Sequence, residues 1–149
     1  MGWTTGGKGP ARERTRRAAD GGGGDIAGTV TDSRRLATLA ALAASSKQAV
    51  DIAVLDVREL ITITDYFVIV TGASERQVDG IADGVVRDLK EAGVRPVRRE
   101  GGSGERWQLV DFVDFVVHVF HEEEREYYRL ETLWGDAPTV DWERELQAS

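Results

Sequence analysis

RWQLVDFVDFVVHVFHEEEREYYRLETLW, Arg106 to Trp134, is the stretch from which the fold is read. WQLVD and DFVVHVFH are two apolar strands joined by a tight connection at Phe112-Val113. An acidic helix follows. It opens on Glu122-Glu123-Glu124, acidic where the helix dipole is positive. Tyr127, Leu130 and Trp134 form its inner stripe, and Gly135 closes it. Both histidines of the chain lie in this stretch, as do two aspartates three residues apart, Asp111 and Asp114.

Upstream, VRPVRRE (94–100) reads as a further strand, and Gly101-Gly102-Ser103-Gly104 as a hairpin loop leading antiparallel into WQLVD. Before it, Val78, Ile81, Ala82, Val85, Val86 and Leu89 recur at helical spacing. Ser74 with Gln77 makes a capping box at the start of that helix, and Gly93 ends it. Gly80 and Gly84 fall on its opposite face. Two earlier segments, DIAVLDV (51–57) and YFVIVT (66–71), are apolar on both sides, as expected of strands in a sheet covered on both faces. YFVIVT, the helix and VRPVRRE then form a right-handed parallel crossover. A first helix, capped by Asp32 or Ser33, carries Leu36, Leu39, Ala40 and Ala43, with Leu42 beside them, and ends near Ser45-Ser46.

The expected architecture is a single α/β domain over 30–135, with a mixed sheet of about five strands and flanking helices. Residues 136–149 read as a loose, partly attached C-terminal tail. Residues 1–29 hold nine of the 17 glycines and almost no apolar side chain. Such a segment buries too little surface to offset its ordering entropy, so it reads as a disordered basic tail. Val30 also fits an alternative start of translation.

The chain has 149 residues, no cysteine and a net charge of -7. The absence of cysteine excludes a disulfide framework and a thiolate metal site. No apolar run is long enough to span a bilayer. Residues 1–29 carry five basic and three acidic side chains, so the remaining 120 residues carry -9 (-7 minus +2). A body that acidic is repelled by phosphate backbones and suits a basic protein partner better than direct, sequence-specific nucleic-acid binding.

Little in the chain points to catalysis. The turn at Gly72-Ala73-Ser74 lacks the ending of a phosphate loop. His118 and His121, three apart on a strand, project to opposite faces and do not share a metal. His118 reads as a hydrogen-bonded core residue or as an anchor of the sheet surface near Asp111. Asp111 and Asp114 more plausibly satisfy backbone amides at the strand ends than hold magnesium. Asp79 and Asp83 read as solvated charges. Trp107, Leu109 and Asp111 share one strand face, with Arg98 and Glu100 beside them across the hairpin. That mixture is typical of interface hot spots; a core tryptophan with a polar margin is the other reading, and both stand.

The pattern Glu100-Gly101, Trp107, Leu109, Asp111, Asp114, Val116 to Phe120, Arg125, Tyr128, Leu130-Glu131, Leu133-Trp134 resembles the bacterial ribosomal silencing factor S, or Iojap, family. Lys47 with Ala49, Asp51-Ile52, Leu55-Asp56-Val57, Thr64 to Phe67, Thr71-Gly72 with Ser74, and Arg76-Gln77-Val78 extend the resemblance over about 33–140. It implies a nucleotidyltransferase-like fold without the catalytic carboxylates, no enzyme activity and no cofactor. It further implies a cytoplasmic repressor of translation that binds the large ribosomal subunit through ribosomal protein fourteen and blocks subunit joining when nutrients are scarce. The expected contact residues are Glu100, Trp107, Leu109, Asp111 and Asp114, with Arg98 and His118 completing the set. Val113 departs from the family, where that position is often glycine. Two other expectations stay open. One is a residual nucleotidyltransferase using Ser74, Asp111 and Asp114. The other is a homodimeric scaffold pairing through a sheet edge or the Gly80/Gly84 face.

Overall fold

The computed structural model describes residues 33–128, 132 and 134–148. The tail over 1–29, Asp32, Leu130 and the Tyr127 side chain lie outside the residues and side chains described. Helix α1 covers 33–46. It is followed by β1 (Val50–Asp56), β2 (Tyr66–Gly72), α2 (Glu75–Glu91), β3 (Arg98–Glu100), β4 (Trp107–Asp111), β5 (Phe115–His121), α3 (Glu122–Tyr128) and α4 (Trp142–Ala148). The sheet is mixed and five-stranded, in the order β1-β2-β5-β4-β3. Among the described residues its one parallel pair is β2 with β5, in register from Tyr66↔Phe115 to Gly72↔His121. The expected single domain with a mixed sheet and flanking helices is what forms.

Each sheet face has its own core. On one face, Tyr66, Val68, Val70, Val110, Val117 and Val119 pack under α1 and α2. On the other, Leu55, Phe67, Ile69, Leu109, Val116 and Phe120 pack with Trp107, Trp134 and Ala137. Helix α2 buries its predicted stripe, and Ser74 caps it by accepting the Gln77 amide at 3.1 Å. Gln77 reaches back to the Ala73 amide at 2.6 Å.

Several expectations change. In α1 Ala40 and Ala43 are buried as expected, but Ala37, Ala41 and Ala44 join them and Leu42 is 44% exposed; small side chains let the helix lie close to the sheet. β3 is shorter than 94–100, because Pro96 has no amide to give to a ladder and the Val94 amide closes α2 on Leu89 at 2.9 Å. β3 runs parallel to β2 but is separated from it by β5 and β4, so the crossover spans two strands. The segment after 135 is attached, as expected in part, and more firmly than a loose tail. Asp56 donates to Pro138 and Val140 to Val54, both at 2.8 Å, sealing part of the β1 edge. Arg34 of α1 then pairs with Glu145 of α4 at 3.0 Å. Gly84 does not present an open face: a Cβ there would lie 2.9 Å from the Lys47 side chain.

The two turns around β4 differ in fitness. Gly101 has φ +82, and a Cβ there would meet the Trp107 carbonyl at 2.5 Å, so only glycine fits. Val113 has φ +76, in the left-handed region that a β-branched residue disfavours. The Asp114 amide bonds the Phe112 carbonyl at 3.0 Å across it, closing a three-residue turn. Val113→Gly should therefore stabilise the fold by about 1 kcal/mol, the relieved strain exceeding the added chain entropy. Chemical denaturation reads the change, and a loss of stability would show that the turn holds no strain.

Candidate functional site

The hairpin brings the expected residues together along β4. Arg98 pairs with Asp111 and Glu100 with Leu109 in the β3–β4 register. Leu109 faces His118, and Trp107 faces Phe120, in the β4–β5 register. The seven residues separate by depth. The Arg98 and Glu100 side chains are 31% and 44% exposed, and Trp107 and Asp114 are half-buried. Leu109, Asp111 and His118 are buried beneath them. His118, expected among the contact residues, has no exposed surface and cannot touch a partner directly.

The buried members organise the exposed ones. Asp111 accepts the Val113 amide at 2.8 Å and lies 3.5 Å from the Arg98 guanidinium. Burial raises the Asp111 pKa above the ordinary carboxylate value; the Val113 amide and Arg98 oppose that rise and Glu100 adds to it. Asp111 thus serves the turn amide, as expected. Trp107 stacks on Phe120, centroids 4.8 Å apart, and donates its indole N–H to His118 Nδ1 at 3.3 Å.

Side chains with no periodic signal hold the strand. Asp79, read as a solvated charge, accepts from Ser103, from the Gly104 amide at 3.1 Å and from Gln108. Asp83, read likewise, pairs with Arg99 at 2.8 Å. Arg106 bonds Glu124 at 2.8 Å, Glu75 at 3.1 Å and Glu123. His121, Glu123 and Glu124 lie close enough together to ligate a cation. Among the described residues, the cation seated there is the Arg106 guanidinium, 3.3 Å from His121 Nδ1.

The nucleotidyltransferase constellation does not assemble. Ser74 follows the Gly72 end of β2, whereas Asp111 and Asp114 flank the Tyr66 end. A seven-residue strand, roughly 20 Å long, separates them. Ser74 is occupied as the cap of α2.

Burial depresses the His118 imidazole pKa to about 3, against about 6.5 in an unfolded chain. Below pH 6.5 the unfolded chain takes up a proton that the folded chain refuses. Stability therefore falls on acidification, at a slope approaching about 1.4 kcal/mol per pH unit, until the folded value is reached. Between pH 6 and 5, His118→Asn should lose stability less steeply than the native chain; equal slopes in parallel denaturant titrations would contradict the assignment.

Comparison with known proteins gives a consistent result. The family model described as "Ribosomal silencing factor during starvation" matches residues 30–149. The ribosomal silencing factor of Bacillus subtilis (strain 168) is 47% identical over 103 residues, covering 69% of this chain and 87% of that protein. A crystal structure of a Chromobacterium violaceum protein superposes with a TM-score of 0.64 at 42% identity, covering 67% of this chain and 83% of that one. A mouse protein named "Mitochondrial assembly of ribosomal large subunit protein 1" is 38% identical over 87 residues, covering 56% of this chain and 38% of its own length. The chain belongs to the ribosomal silencing factor family, and its role is ribosome-associated silencing. Among the described residues no helix is long and apolar enough to cross a membrane.

Proposed function

We propose that this member of the ribosomal silencing factor family docks on the large ribosomal subunit through ribosomal protein fourteen. Its bulk then occludes the face that meets the small subunit. Translation falls when nutrients are scarce because subunits cannot join. The protein acts in the cytoplasm by occupancy, with no chemical step and no cofactor.

The observation that carries this reading is the half-buried Trp107 on β4, sharing its strand face with Leu109 and Asp111, opposite which Glu100 and Arg98 lie on β3. Aromatic anchors with a charged margin dominate binding energy at protein interfaces. The -9 carried by residues 30–149 supports a basic protein as the partner. Homodimerisation is a second reading, favoured by β3 at the sheet edge and by Val97 beside it, 63% exposed.

Substitution at Asp111 is a poor test, because Asp111 is 5% exposed and holds the turn. Trp107→Ala with Glu100→Lys addresses the exposed part of the patch. The double variant should remain folded by circular dichroism and lose at least a hundredfold in affinity for purified large subunits, taking roughly 2 kcal/mol or more from the anchor and about 1 from the charge reversal. Co-sedimentation equal to that of the native chain would refute the assigned surface.

A further inference from the structure

Strand β4 is fixed on both sides of Trp107. Before it, Arg106 is tied to Glu75 in the first turn of α2 and to Glu123 and Glu124 in the first turn of α3. The Arg106 carbonyl also accepts the His121 amide at 2.7 Å. After it, Gln108 is bound to Asp79 of α2 and to Arg99 of β3. With the backbone held, the remaining freedom is in the indole side chain. Stacking on Phe120 fixes the plane of the ring. A stacked pair still permits sliding and rotation within that plane, and a directed bond is needed to stop it.

His118 supplies that bond. Its Nδ1 accepts the Trp107 indole N–H at 3.3 Å, from a side chain with no exposed surface. The imidazole is itself seated, edge-on to Phe67 at 5.2 Å and parallel to Phe120 within 11°. A fully buried residue contributes to docking only through what it holds. We propose that His118 is a positioning residue for the docking face: it fixes the Trp107 indole in the orientation presented to the large subunit. This rests on the reading of Trp107 as the anchor. A second consequence is that the indole N–H is committed inside the protein, so the anchor meets its partner with ring surface. Pre-orienting a side chain lowers the entropy cost of binding. Losing that pre-orientation corresponds to about a five- to tenfold weaker complex.

The test uses the full chain and two substitutions. His118→Asn places an amide oxygen near the position of Nδ1; His118→Leu has no acceptor. The readouts are the Trp107 indole N–H resonance, identified by its loss in Trp107→Phe, and the affinity for purified large subunits. His118→Leu should shift the resonance and weaken binding five- to tenfold, whereas His118→Asn should stay within about twofold of the native chain. Should His118→Leu fail to fold, His118→Phe, a ring without an acceptor, takes its place. An unmoved indole resonance in the acceptor-free variant, or equal affinity in the two variants, overturns the positioning role. Normal binding by Trp107→Ala overturns the docking face and this role with it, an outcome told apart because it does not depend on His118.

Discussion

The parallel pairing of β2 with β5 is the constraint on which the rest of the structure depends. Two strands buried on both faces lie side by side in one direction, Tyr66 against Phe115 and Gly72 against His121. Parallel neighbours cannot be joined by a hairpin. The chain from 73 to 114 must leave the sheet, return at its far edge and work back. Helix α2 makes the crossing and closes one face; β3 and β4 fill the space beyond β5. β4 thereby lies between a buried strand and a three-residue edge strand. The residues on its outer face sit at the margin of a core, where an aromatic ring is both packed and accessible.

That margin is rigid because polar contacts from several elements converge on it. Asp79 and Glu75 reach the hairpin from α2, and Glu123 and Glu124 reach it from α3. Most of these pairs are partly exposed, so each contributes little to stability on its own. Their effect is geometric, since they fix the residues on either side of Trp107 while His118 and Phe120 fix its ring. The proposed docking patch thus has buried supports, and the Asp111 carboxylate beneath it is spent on the Val113 amide and Arg98.

Much of this was legible in the sequence. The stripe in α2, the two buried strands and the hairpin that sets Arg98 and Glu100 against Asp111 and Leu109 each follow from periodicity and turn chemistry. Other features left no such trace. β1 lies at the sheet edge, and part of that edge is covered only because residues 138–140 come back from 82 or more positions away to pair with it. Asp79 and Asp83 occupy polar helix positions, and nothing local tells a solvated carboxylate from one bonded to a loop 25 residues on. His118 alternates correctly for the face of Trp107, but its depth depends on neighbours in three strands. The departure at Val113, noticeable only through the family resemblance, matches a positive φ that glycine would adopt without strain.

In the proposed mechanism, occupancy of the large subunit prevents joining. The direct measurement is sucrose-gradient sedimentation of purified ribosomal subunits, at magnesium concentrations that favour association, with and without the protein. The protein should travel with the large subunit, and the joined peak should shrink in proportion to occupancy. Protein remaining at the top of the gradient with an unchanged joined peak, or protein carried within intact joined ribosomes, would contradict it.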